Sequence, residues 1–313
     1  MNSFLVLRSG TNSTFQDEGF HNLQHLGITS AGVMDKKLFL FANYILDNKI
    51  DTPVIEFSLQ GPILKLAKGS CRFAITGNVL FKIIKKNKAI NGVCNRSYIL
   101  NEGETLDIIS TINSNYGYFS VEGGFFLKKE FGCYSTLIQS KIGTNNGKPL
   151  SQNQKIYFKK NGSKINYILD EDNENKKINI IRVIRGPQMN YFMLKEIKKF
   201  FNNNFIVSKN SNKTGIRLKG NKIKATVSSN IISEGIAKGS IQIPGNGDPI
   251  VLMTDHPTIG GYPKIAVVIL SDLHKIAQLP IGSKFKFKEI SLDGAEKVYK
   301  KNIFKRKNKL KKI

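Results

Sequence analysis

The sequence predicts a mainly β protein, two β domains with a few accessory helices, and three features carry that expectation. Short runs enriched in Val, Ile, Phe and Tyr recur along both halves, separated by Gly, Pro and Asn turn residues. Only two segments show sustained helical spacing of apolar residues. A polar stretch at 159–177, dominated by Lys, Asn, Gly, Asp and Glu, divides a chain whose length suits two cores. The expected organisation is a first domain over 1–158, a linker over 159–177, a second domain over 178–290 and a basic tail over 291–313.

In the first domain, strands are expected at Phe4–Arg8, Val54–Leu59, Ile63–Leu66, Cys71–Thr76, Leu80–Ile84, Leu106–Ile109 and Tyr116–Val121. Gly61-Pro62 and Glu102-Gly103-Glu104 mark turns. A helix is expected from Met34 to Leu46, because Leu38, Phe41, Ala42 and Ile45 form one stripe and Asp35 places negative charge at its start. The second domain opens with a strand at Ile178–Ile184. A helix then follows Gly186-Pro187, with proline at the first helical position and Met193, Ile197, Phe200 and Phe201 as its buried stripe. Further strands are expected at Phe205–Ser208, Ile231–Ser233, Ile241–Ile243, Ile250–Met253, Ile265–Leu270 and Lys284–Lys288.

Charge and composition narrow the function. The chain of 313 residues carries a net charge of +25, which invites a nucleic-acid reading. Its lysines are dispersed, however, and accompany abundant Asn and Ile, so no specific nucleic-acid partner is expected. The exception is Lys297–Lys312, with nine basic residues and no acid, read as a solvated basic end. Cys71, Cys94 and Cys133 form no CxxC pair and no disulfide framework, which fits a reducing cytosol and a cytoplasmic location. No apolar run is long enough for a transmembrane helix, and Met1–Arg8 lacks the pattern of a signal peptide. His21 and His25 lie four apart without a third ligand, so no metal site is expected. Neither a Walker A motif, a Rossmann glycine fingerprint nor a nucleophile elbow occurs.

Two Gly-rich stretches are the places where chemistry is expected. The first, Gln16–Asp35, includes Gln16, Asp17 and His25 and ends at a helix N-terminus, a natural anion site. An ordered loop, in which Gln16 and Asp17 cap turns and Asp35 steadies its helix, explains the same residues. The second, Gly239–Pro263, alternates strands with Gly/Pro turns and is expected to bring Gln242, Asp255, Tyr262 and Lys264 to one rim. Gly260-Gly261 would let backbone approach a ligand, Lys264 would offer a point charge to a phosphate or carboxylate, and Asp255 a base or a metal-holding carboxylate. Two structural turns with exposed polar ends are the alternative.

These stretches also resemble the biotin-dependent carboxyltransferase family, whose members include the C-type subunit of bacterial 5-oxoprolinase and the KipA-like proteins. The resemblance runs from about residue 4 to residue 290. It rests on Gln16-Asp17…Gly19…Gly27…Ser30-Ala-Gly32…Met34-Asp35, Glu56…Gly61-Pro62, Thr76-Gly77, Val121-Glu-Gly-Gly124, Gly132-Cys-Tyr-Ser-Thr136 and Gly147-Lys-Pro-Leu150. It continues through Arg185-Gly-Pro-Gln188, Ser233-Glu-Gly235, Gly239-Ser-Ile-Gln242-Ile-Pro244 and Gly260-Gly-Tyr-Pro263-Lys-Ile-Ala266. Two departures stand out: Lys213-Thr214 replaces an Arg-Met pair before Gly215, and His256-Pro257 follows Asp255 where the family carries Gln-Thr.

The resemblance implies two cyclophilin-like β-barrel domains. It also implies one component of an ATP-dependent 5-oxoprolinase that opens 5-oxoproline to glutamate, working with a KipI-like B-type partner and a lactam-utilisation A-type partner. ATP with Mg2+ is then the expected cofactor, and biotin would enter only on another protein. Asp255, Lys264 and Asp35 are the expected catalytic residues. Gln16, Asp17, His25, Arg217, Gln242, Gly260, Gly261 and Tyr262 are expected to bind a small-molecule substrate or nucleotide. Carboxyl transfer from carboxybiotin to urea or a related amide, and KipA-like regulation without turnover, are the alternatives that the resemblance leaves open.

Overall fold

A computed structural model describes residues 1–86, 88–159, 167–169, 179–226, 230–307 and 310–312. The chain divides into two compact units. One comprises Met1–His21, Ala31–Asp172 and Lys307–Ile313; the other comprises Asn22–Ser30 and Asn173–Arg306. The loop at Asn22–Ser30 therefore belongs with the second unit, which no local signal in the sequence announces.

The first unit is built from two antiparallel sheets. One orders its strands Lys155–Phe158, Asn2–Arg8, Ile63–Lys68, Thr105–Thr111, Val79–Lys85 and Lys88–Asn91. The other orders Thr14–Gln16, Val54–Ser58, Tyr116–Val121, Ser70–Thr76 and Ser97–Asn101. Alternation explains the inner faces: Val79, Phe81 and Ile83 are buried while Leu80 and Ile84 are exposed. Phe4, Ile55, Phe57, Leu64, Phe73 and Phe119 make the shared core. Helix α1, Lys36–Ile45, is shorter than the expected Met34–Leu46; it buries Phe41, Ala42 and Ile45 of the expected stripe together with Phe39 and Leu40, while Leu38 is half-buried.

The second unit closes as a seven-stranded barrel. Its strands follow the order Ile180–Arg185, Lys264–Val268, Ser240–Gln242, Ile250–Leu252, Gly215–Lys219, Phe205–Val207 and Lys284–Glu289. A parallel pair between the last and the first completes the ring. Helix α2, Leu194–Asn202, drops Phe200 against Phe287 with ring centroids 4.8 Å apart, and Phe205 closes the aromatic cluster.

Several expected elements are corrected here. Pro187 sits in a turn before a short 3-10 helix, Met189–Tyr191, and α2 begins only at Leu194. Met193 is an exposed N-cap rather than part of a buried stripe. Ile231–Ser233 is not a strand; the chain pairs one step later, at Glu234–Gly235 with Ile259–Gly260. The run at Ile265–Leu270 ends as a strand at Val268, and helix α3 starts at Leu270 and ends at Gln278. The basic end is not featureless either. It forms helix α4, Leu292–Lys307, whose first turn is capped where Ser291 Oγ accepts from the Gly294 N–H at 3.1 Å. Beyond it, Leu310–Lys312 pairs with Tyr167–Leu169, a short strand inside the stretch expected to be a linker. Most of the remaining expected linker lies outside the described residues.

Helix α3 is pinned to the barrel by Asp272, which is fully buried. Its carboxylate accepts from the Arg182 backbone N–H at 2.9 Å and from the guanidinium at 2.8 and 2.6 Å, and Lys275 lies 2.9 Å away. Burial alone would raise the carboxyl pKa, but the bonds from Arg182 and Lys275 outweigh it, and Asp272 is held below its ordinary value. A depressed carboxyl contributes stability above the unfolded value of about 3.9, and that stability is lost as pH falls through the lower folded value. Thermal unfolding should therefore show Asp272→Asn less stable at pH 7 and with a shallower acid decline than the parent below about pH 4. Parallel pH profiles for the two chains would contradict the assignment.

Candidate functional site

Gly260-Gly261-Tyr262-Pro263 leads into the strand Lys264–Val268, so the first residue of a barrel strand is a lysine. The register then builds a row. Lys264 stands opposite Gln242, Gln242 opposite Ile250, and Ile250 opposite Arg217, across four neighbouring strands. A bulge between Ile241 and Gln242 adjusts the row at its centre.

Lys264 is not the rim residue expected from sequence, since only 2% of it is exposed. A buried ammonium needs a partner, and Glu234 supplies one at 2.7 Å. The Tyr262 carbonyl lies 3.4 Å from the same nitrogen. Gln188 ties the pair to the barrel wall. Its Nε2 donates to Glu234 Oε1 at 2.8 Å, and its Oε1 accepts from the Lys264 backbone N–H at 3.2 Å. Gly186 makes this possible: a Cβ there would collide with the Lys264 carbonyl, so only glycine lets the turn lie on the strand. The bonds from Lys264 and then Gln188 hold the Glu234 carboxyl below its usual range.

Beside this pair, Gln242 is 5% exposed, and its Nε2 has no hydrogen-bond partner among the described residues. The ribbon Glu234–Gly235 with Ile259–Gly260 lies over it. A Cβ on Gly260 would stand 2.8 Å from that amide nitrogen and would also strike Ile236. An unsatisfied buried amide costs about 1–3 kcal/mol, so an acceptor oxygen from a ligand would find favourable binding there. The arrangement is a Lys–Glu ion pair with an idle N–H donor on the facing strand, suited to a small molecule bearing a carbonyl oxygen.

The structure thus brings together Lys264, Gln242, Gly260 and Tyr262, and the row extends to Arg217. Arg217 and Tyr262 also share a cleft of about 320 Å³ with Pro244 and Asn246. Gly261 has its carbonyl engaged by the Ile231 N–H at 2.7 Å. Asp255 is not on the same rim. Gln242 and Lys264 sit at the Ile250 end of their strands, whereas Asp255 follows Leu252 at the other end. There the Asp255 N–H donates to the Lys213 carbonyl at 2.9 Å, while Thr29 and Ser30 hydroxyls donate to the Thr254 carbonyl at 3.3 and 3.4 Å. His256 is buried and its Nδ1 donates to the Pro257 carbonyl at 2.7 Å; burial lowers its pKa and outweighs that bond. The two sequence departures, at Lys213-Thr214 and His256-Pro257, therefore meet at Asp255. His25 is exposed on a 3-10 turn of this unit, Gln24–Leu26.

The remaining expected residues lie in the first unit with structural partners. Asp35 caps α1, accepting from the Lys37 and Leu38 N–H groups at 3.0 and 3.1 Å. Its own N–H donates to the Tyr118 hydroxyl at 2.7 Å, and that hydroxyl donates to Glu56 at 2.8 Å. Asp17 accepts from Ser135 Oγ at 2.6 Å, Tyr134 N–H at 2.7 Å and Gly19 N–H at 3.0 Å. Gln16 donates to Thr14 Oγ1 and to the Thr136 carbonyl. The capping alternative accounts for what Asp35 and Asp17 do here. Sequence reasoning misses Gln188 and Glu234 as site residues. Each lies inside a Gly-containing motif of the resemblance, Arg185-Gly-Pro-Gln188 and Ser233-Glu-Gly235, which is the signal that could have found them.

Comparison with known proteins follows the same outline. The family profile described as "Carboxyltransferase domain, subdomain A and B" matches residues 26–289. The chain belongs to the carboxyltransferase family. It is 31% identical over 300 residues to the C-type subunit of 5-oxoprolinase from Haemophilus influenzae, covering 95% of this chain and 94% of that protein. The corresponding protein of Escherichia coli is 30% identical over 294 residues, with 93% of each chain covered. Among solved structures, the Kluyveromyces lactis urea carboxylase superposes with a TM-score of 0.88 at 26% identity, over 98% of this chain and 29% of that one. The urea amidolyase of the same yeast gives 0.87 over 98% of this chain, which spans only 20% of the larger protein.

Gly260 provides the test of the site's packing. Gly260→Ala should displace the Gln242 amide and the Ile236 side chain, costing about 1–3 kcal/mol in denaturant unfolding. A fully retained midpoint would show that the ribbon does not press on Gln242.

Proposed function

We propose that this carboxyltransferase-family chain is the C-type component of a 5-oxoprolinase, acting with partner subunits to open 5-oxoproline to glutamate. The observation that carries the reading is that its match to two such 5-oxoprolinase components runs end to end, 95% of this chain against 94% of the H. influenzae protein. In the yeast urea amidolyase, by contrast, the similar segment is 16% of a much longer chain. The partners on this reading are a KipI-like B-type protein and a lactam-utilisation A-type protein.

The chemistry asks for what the barrel holds. A lactam resists hydrolysis because its nitrogen lone pair is delocalised into the carbonyl. ATP, when bound with Mg2+, supplies the phosphoryl group that turns the lactam oxygen into a leaving group. The side chains of this chain would bind and orient the lactam. Gln242 Nε2 offers its idle N–H to a carbonyl or carboxylate oxygen. Lys264 places positive charge beside the same oxygen, and Glu234 with Gln188 keeps that ammonium from moving as charge develops. The ribbon over Gln242 keeps water away.

The similarity to the yeast urea carboxylase fold favours carboxyl transfer as the second reading, and one complex can test both. In the complex reconstituted with both partner subunits, ATP-dependent glutamate release should fall about 10²–10³-fold in Lys264→Met, equivalent to roughly 3–4 kcal/mol of transition-state stabilisation. The circular dichroism spectrum should be retained. Full turnover by the variant would remove Lys264 from the site. A parent complex inert towards 5-oxoproline, yet able to carboxylate urea from carboxybiotin, would replace this reading with the second.

A further inference from the structure

The cleft of about 320 Å³ at the Ile250 end of the barrel has a charge pattern that the lactam reading does not use. Arg217 and Lys219 alternate along the strand Gly215–Lys219, with the buried Leu218 between them, so both face outward into the cleft. Neither side chain has a carboxylate partner among the described residues. Asp248, the acid on the cleft wall, is neutralised by Lys222 at 2.6 Å. Ser208 and Asn246 contribute polar groups, and Tyr262 forms the side nearest to Lys264. The larger cleft of the first unit, about 650 Å³, differs: Asp47 and Asp51 stand among its lysines, and Lys129 lies over the Tyr134 ring. That cleft sets three lysines against two aspartates, whereas in the barrel cleft the single acid is taken up by Lys222 and the two cations stand side by side on one strand.

We propose that this cleft is a polyphosphate subsite, with Arg217 and Lys219 holding the phosphate chain of a nucleoside triphosphate or of a free polyphosphate. Residues two apart on a strand are separated by about 7 Å, a span for neighbouring phosphate groups rather than for one carboxylate. The Arg217 guanidinium presents a planar fork to two oxygens of one phosphate, and Lys219 adds a point charge to the next. Through Ile250 and Gln242 the row then leads to Lys264, so the bound phosphates would lie alongside the amide-binding groups. The inference deepens the proposed function by giving a phosphate chain a place and two side chains in this barrel. It rests on that reading only for the ligand's natural identity.

Isothermal titration of the full chain with sodium tripolyphosphate and, separately, with ATP, at constant ionic strength, tests it without reference to turnover. Both probes should bind saturably at one site. Arg217→Gln and Lys219→Gln should each weaken both by about ten- to a hundredfold. Arg217→Lys should fall between them and the parent, and Lys288→Gln, at an exposed position outside the cleft, should bind as the parent does. Tighter binding of ATP than of tripolyphosphate would identify the nucleotide as the source of the phosphate chain; equal binding would identify free polyphosphate. Absence of saturable binding would overturn the proposal. So would an equal loss in Lys288→Gln, a loss confined to ATP, or displacement of tripolyphosphate by acetate at similar concentration.

Discussion

A lysine charge taken out of water organises the second unit. An ammonium on a side chain only 2% exposed is tolerated only if an anion and further polar groups stand beside it, because desolvation costs several kcal/mol per ion. Lys264 meets that demand with Glu234, whose segment is also held by the Ile231 N–H on the Gly261 carbonyl and the Ile236 N–H on the Thr258 carbonyl. The short ribbon of Glu234–Gly235 with Ile259–Gly260 carries the acid of this pair and sets Gly260 against Gln242. Gln188 closes the arrangement from the opposite flank, and Gly186 allows the approach. Removing the charge would leave a carboxylate, an amide and a ribbon without their common partner.

The two units divide the labour differently. In the first, the polar groups close to the conspicuous loop are spent on structure: Asp17 fastens the chain to Tyr134 and Ser135, and Asp35 starts a helix while Tyr118 bridges it to Glu56. Burial, and then the charges of Glu56 and Asp35, raise the Tyr118 pKa well above its ordinary value, which keeps the hydroxyl a donor. In the second unit a buried amide donor, Gln242 Nε2, stands idle at the register position opposite the Lys264–Glu234 ion pair.

Much of the fold is legible in the sequence because local physics decides it. The strand read at Leu80–Ile84 and the helix read from its apolar spacing require only periodicity, and both form with shifted ends, Leu38 of the expected stripe being half-buried. Helix α3 is hidden because Leu270 continues the apolar run of Ile265–Val268, and its anchor Asp272 draws its partner from Arg182, 90 residues away. Helix α4 is hidden by its many lysines, although Ser291 three residues before Gly294 is a capping signal. For the site, the stretch containing Gln242, Gly260, Tyr262 and Lys264 is visible in the sequence. Its geometry is not, since a lysine reads as exposed until Glu234, from an earlier segment of the chain, is seen to cover it. Asp255 is drawn to the same rim by proximity in sequence, but the antiparallel register sends it to the other end of the strand.

On the proposed function, Gln242 and Lys264 receive one small ligand together. The most direct measurement is the side-chain amide resonance of Gln242, followed by NMR in the reconstituted complex with only this chain labelled with 15N-glutamine. Titration with 5-oxoproline should shift the Gln242 NH2 signals saturably in the parent and leave them unmoved in Lys264→Met. Signals that stay fixed in the parent while turnover proceeds would place the lactam elsewhere and contradict the account.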